Sequence, residues 1–149
     1  IDFKKEIKMK TTKILVQKSE TGLSEDNKAK LKSLEIYKDK KHFKFSNGWV
    51  DLAYELGKNI EEVCKLANCE LPKIEAMYNK YNSLRVDYNF TSPVPKIVET
   101  LIDSLIYVTE DKSEMICECC GKSCDIEITE KNNNYINACE KCFDRKKRD

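Results

Sequence analysis

Histidine occurs once in this 149-residue chain, as His42, while glycine occurs only four times and proline three. A lone histidine leaves no second imidazole for a histidine-built metal or nuclease site. Four scattered glycines leave no glycine-rich loop to cradle a phosphate. Long hydrophobic runs are also missing. The longest apolar stretch, 97–108, is interrupted by Glu99 and Asp103 and is too short to cross a bilayer, so no membrane partner is expected. Net charge is only +1, which gives no whole-molecule field to steer a polyanion. No hydrophobic signal segment opens the sequence, which starts Ile1-Asp2-Phe3-Lys4-Lys5. No internal repeat recurs.

Charge and cysteine are what the chain does have. Charged residues make up 36% and hydrophobic ones 40%, a balance that suits small helical units better than one large core. The charge is uneven. Residues 1–45 carry 13 lysines against 7 acids, and the C-terminus nearly ends in Arg145-Lys146-Lys147-Arg148. Three parts are therefore expected: a basic N-terminal segment over 1–45, a helical unit over 46–110 and a cysteine-rich domain over 111–149. In the first, Thr11–Gln17 reads as a short strand. Ser24 reads as an N-cap with Glu25 and Asp26 in the first turn of a helix. The basic segment is either a solvated face or an arm for nucleic acid or a partner.

Over 46–110 apolar residues recur at helical spacing. Trp49, Leu52, Ala53 and Leu56 predict a helix closed by Gly57. Ile60, Val63, Cys64 and Ala67 predict a second, capped by Asn59 with Glu62 reaching back. Pro72 opens a third, through about Leu84, with Ile74, Met77, Tyr78 and Tyr81 on its apolar face. A fourth runs from the Pro93–Pro95 loop to about Val108. Its broad stripe (Ile97, Leu101 and Leu105 beside Val98, Ile102 and Ile106) reads as core or as a homodimer face. Glu110–Glu114 reads as a polar linker. Residues 60–79 resemble a helix-turn-helix: Val63, small Cys64, Ala67, Asn68 at the turn, Cys69, then Ile74 and Met77. The resemblance implies that helix 72–84 enters the major groove of double-stranded DNA. Lys73 and Lys80 would then meet phosphate, and Asn79 would read adenine.

The sharpest chemical statement lies in the last third. Cys117 and Cys120 form one C-x2-C pair, and Cys139 and Cys142, separated from Cys120 by eighteen intervening residues, form another. Four thiolates at this spacing suit a tetrahedral zinc ion in a reducing compartment. Gly121, just after the second ligand, supplies the positive φ that such a knuckle needs. Cys124 is an alternative to Cys120 without the two-residue knuckle, and Cys119 is left over. Asp125–Thr129 and Tyr135-Ile136 alternate as two strands around Asn132–Asn134, and a helix starts near Cys139. Knuckle, hairpin and ligand-bearing helix resemble the treble clef of GATA-type zinc fingers over about thirty residues. That resemblance implies metal binding by Cys117, Cys120, Cys139 and Cys142. In the family Asn-Ala lies inside the second pair; here Asn137-Ala138 precedes it.

The expected fold is thus mainly α: a small helix-turn-helix-like domain followed by a treble-clef zinc finger. The expected protein is intracellular, non-enzymatic and DNA-binding, a transcription-factor-like regulator with structural Zn2+. DNA contacts fall to Lys73, Asn79, Lys80, Arg145, Lys146 and Lys147. The alternative is a zinc-stabilised adaptor or inhibitor that binds a protein partner and no DNA.

Overall fold

The computed structural model describes residues 22–123 together with Cys139 and Cys142. The Thr11–Gln17 strand, the 125–136 hairpin and the basic residues Arg145, Lys146 and Lys147 all lie outside the described residues.

The chain enters at Leu23, which is buried, and Ser24 caps helix α1 (Glu25–Lys32). The Ser24 hydroxyl accepts from the amide of Asn27, the N-terminal satisfaction that the sequence promised. A short 3₁₀ turn, Glu35–Tyr37, then drops the Tyr37 ring into the core, where its hydroxyl donates to Ala53 O at 2.8 Å. Phe43 and Phe45 follow it in, each meeting its neighbour edge to face.

A second 3₁₀ turn, Asn47–Trp49, leads into helix α2 (Val50–Ala67). The sequence expectation of two helices broken at Gly57 is wrong: α2 is one continuous helix of 18 residues. Gly57 is there for space. A Cβ on it would come within 2.6 Å of the Tyr37 ring and 2.8 Å of a Leu34 methyl. Helix propensity is sacrificed by roughly 1 kcal/mol to let the 34–37 turn seat against α2. The helix ends at Asn68, whose left-handed backbone (φ 53°, ψ 47°) returns its amide to Cys64 O and Lys65 O.

The fold class expected from sequence is contradicted in the next stretch. Residues 72–84 are no helix. They belong to an antiparallel hairpin of β1 (Lys73–Lys80) and β2 (Ser83–Asn89). Among the described residues the architecture is three α-helices packed with this two-stranded sheet, not a helix-turn-helix. A bulge between Ile74 and Ala76 explains the misleading pattern. It inserts one extra residue, so Ile74 and Met77, three apart, both face the core opposite Tyr88 and Val86. A spacing of three then imitates a helical face. The turn is Tyr81-Asn82, with φ of 52° and 66°, the geometry of a two-residue primed hairpin loop. Lys44 extends the sheet by a single bridge to Tyr78.

Helix α3 (Lys96–Ser113) covers one edge of the hairpin. Glu110 accepts from the amide of Val86 at 3.0 Å, and the Ser113 hydroxyl accepts from the amide of Leu84 at 2.8 Å. Side chains of α3 thereby satisfy strand donors that a sheet edge leaves open. Glu110 to Ser113, read from sequence as a linker, form the last turn of this helix. Val98, Ile102 and Ile106 are its buried row, while Ile97, Leu101 and Val108 face out. A single core joins these elements, centred on Trp49, Phe45, Leu56, Ile60, Leu84 and Ile102.

Candidate metal centre

Beyond α3 the chain makes a tight knuckle. The Cys117 amide donates to Lys122 O at 2.9 Å, and the Gly121 amide donates back to Cys117 O at 2.8 Å. Gly121 has φ +78°, the left-handed backbone that only glycine adopts without strain. The curl aims the Cys117 and Cys120 sulfurs at one point, and the Cys120 amide donates to Cys117 Sγ at 3.5 Å.

Cys139 and Cys142 complete the group. The four Sγ atoms of Cys117, Cys120, Cys139 and Cys142 lie within 4.8 Å of one another, and Cys120 and Cys139 sulfurs are 3.8 Å apart. For a tetrahedral ion with metal–sulfur bonds of about 2.3 Å, sulfurs sit about 3.8 Å apart, so the donor set fits an ion of that kind. These four cysteines could hold a metal ion. They are the set chosen from sequence, and Cys119 stands beside them half-buried. Cys64 and Cys69 are not part of this group: Cys64 is buried in the core, and Cys69 packs half-buried against it.

The electrostatics are those of four thiols crowded together. Cys117 is pushed down to about 3, chiefly by a hydrogen bond from the Cys119 side chain, with the amides of Cys139, Cys120 and Cys119 adding to it against burial. Burial pushes Cys142 up to about 12, and burial likewise raises Cys120. Cys117 is thus the sulfur prepared to ionise first. A cation in the centre would remove the protons from the others, since thiolate is the metal-binding form.

Glu118, inside the C-x2-C pair, is the residue that sequence reasoning missed. It is completely buried. One carboxylate oxygen accepts from the amide of Ser46 at 3.0 Å, and the other accepts from the Asn79 side-chain amide at 2.6 Å. Its own carbonyl accepts from the amide of Gly48 at 2.7 Å. The Trp49 indole donates to Ile116 O at 2.9 Å. The knuckle is therefore fastened to the start of α2 and to β1 at once. Gly48 makes the approach possible, because a Cβ there would sit 2.2 Å from Cys117 O. Nothing in the residue pattern marks Glu118: between two ligands of a knuckle an acid ordinarily points to water.

The three described residues that the sequence reading assigned to DNA, Lys73, Asn79 and Lys80, lie on strand β1 and not on a helix. Asn79 turns inward to Glu118 instead of outward to a base edge. Lys73 and Lys80 are both exposed, but at opposite ends of one strand rather than on a helix. Comparison with known proteins gave no match to a family model, a curated protein or a solved structure.

Proposed function

We propose that the protein is a non-enzymatic binding module in which Zn2+ is structural and the partner is another protein. The observation that carries this reading is the tie between the four-sulfur group and the fold through Glu118. Four cysteine ligands close the coordination sphere and leave no position for water or substrate, so the ion supplies stability and no Lewis-acid chemistry. Zinc binding of about 10–16 kcal/mol would then be spent on holding a short, apolar-poor segment against α2 and β1. Retaining four reduced thiols also favours a reducing compartment.

A protein partner fits the surface better than duplex DNA does. The helix required to enter a major groove is replaced by a hairpin, and net charge is only +1. Large apolar side chains are exposed instead, among them Leu66, Ile97, Leu101 and Val108. The basic termini keep DNA as the second reading. The two readings separate by fluorescence anisotropy of labelled random duplex, titrated with the metal-loaded full chain across a salt series. A protein-binding module gives no binding at low salt. Binding that weakens steeply with salt, as counterion release requires, would select the DNA-binding regulator instead.

A further inference from the structure

Beside the buried row of α3, Val98, Ile102 and Ile106, a second row looks outward. Ile97, Leu101 and Val108 are exposed at 65%, 45% and 49%, with Thr100, Ser104 and Tyr107 exposed among them. No charge stands on this face between Lys96 and Asp111, in a chain whose residues are 36% charged. The acids of the intervening helix turn the other way, toward the hairpin. Glu99 acts on Tyr88, Asp103 accepts from the Tyr88 hydroxyl, and Glu110 accepts from the Val86 amide.

The outward row has a spacing that suits its own copy. Ile97, Leu101, Ser104 and Val108 are four, three and four residues apart, the stripe by which one helix of a coiled coil meets another. A two-fold axis sets such a stripe against itself. In an antiparallel pairing centred midway between Leu101 and Ser104, Ile97 faces Val108 of the second copy and Leu101 faces its Ser104. Each larger side chain then meets a smaller one. The Ser104 hydroxyl already donates to Thr100 O at 2.8 Å, so it enters the seam with its donor satisfied. The ends match too. The same register carries Lys96 to Asp111 of the second copy, twice over. Neither charge suits its own helix, because a cation in the first turn and an anion in the last both oppose the macrodipole. Lys96 lies 3.8 Å from Glu99, but its side chain is 85% exposed and points to solvent. Lys112 meets no like charge in this register: it lines the α2 side of the helix with Asp51 and Glu55 of its own chain.

We propose that the protein partner is a second copy of this chain, paired antiparallel through the outer face of α3. The inference rests on the reading of the protein as a protein-binding module and names the partner of that module. A contact of about three helical turns is at the small end of specific interfaces, so association belongs in the micromolar range. Sedimentation equilibrium of the full chain, purified without chelator, tests it over about 1–200 μM. The parent mass is expected to rise from one chain to two across that range. Leu101→Asp puts a charge into the seam and is expected to weaken association at least about tenfold. Lys96→Glu and Asp111→Lys are each expected to weaken it about threefold, and the two together to return it to within about twofold of the parent. Both reversals agree with the macrodipole of α3, and circular dichroism checks that every variant is folded. A parent that stays one chain at every concentration would overturn the proposal and leave the protein-binding reading with a different partner. A dimer indifferent to Leu101→Asp would overturn it in favour of another face, and a double reversal that fails to recover association would overturn the antiparallel register.

Discussion

A buried carboxylate inside a C-x2-C knuckle is an expensive choice, and at Glu118 the expense is offset by the Ser46 amide and the Asn79 side-chain amide, which donate to its two oxygens. Charge-assisted hydrogen bonds of this kind contribute about 1.5–3 kcal/mol each, and a buried donor left without its acceptor costs about 1–3 kcal/mol. Glu118→Ala is therefore expected to destabilise the metal-loaded protein by about 3–5 kcal/mol, while Glu118→Gln loses less because one oxygen survives. Denaturant unfolding at fixed metal concentration measures both; an Ala variant within 1 kcal/mol of the parent would remove Glu118 from the account. Gly57 provides a second residue-scale test. Gly57→Ala raises helix propensity, yet it must push the Tyr37 ring or Leu34 aside from 2.6–2.8 Å. Overpacking is expected to win, with a net loss of about 1–2 kcal/mol, where an open site would have gained about 1.

At the scale of elements, the hairpin and its helix α3 carry two predictions. Tyr81 and Asn82 hold left-handed backbone without being glycine. Tyr81→Asn/Asn82→Gly gives the loop its preferred residues and is expected to stabilise the protein by about 1 kcal/mol in thermal unfolding. The second concerns Glu110, whose carboxyl is raised above its ordinary 4.5 by burial, against the Val86 amide and Arg85. The folded state therefore holds this proton more tightly than the unfolded chain does. The associated stabilisation is full below pH 4.5 and is lost as pH rises through the shifted value. Glu110→Gln is expected to flatten that part of the stability–pH curve, measured by denaturant midpoints between about pH 4 and 7. These same elements show what the sequence could and could not tell. The Ser24 cap, the Asn68 turn and the Gly121 knuckle were legible, because each is decided by local backbone chemistry. Gly57 misled, because its role is contact with Tyr37, distant in sequence. The hairpin misled more seriously: one bulge converted strand alternation into a spacing of three, and Pro72 favoured a helix start. The buried Val98, Ile102 and Ile106 row of α3 was visible, yet nothing in it told the core row from the neighbouring Ile97 and Leu101 row that faces out.

Over the whole molecule, the helices and hairpin form one core, and the cysteine knuckle is fastened to it at Ser46, Gly48, Trp49 and Asn79. The four-cysteine group was legible because ligand spacing is a local geometric demand. The docking of that set was not, because it depends on Glu118 finding partners 39 and 72 residues away. If the four sulfurs hold zinc, chelation releases Cys139 and Cys142 and loosens the knuckle while the helical core persists. It should lower the thermal midpoint and expose Cys117 and Cys120 to thiol reagents. The most direct test of the account is the zinc-to-chain ratio, read by elemental mass spectrometry on full-length protein purified without chelator. The account predicts one zinc per chain, falling to none in Cys117→Ser/Cys142→Ser; a parent protein that carries no metal and remains as stable after chelator treatment would contradict it.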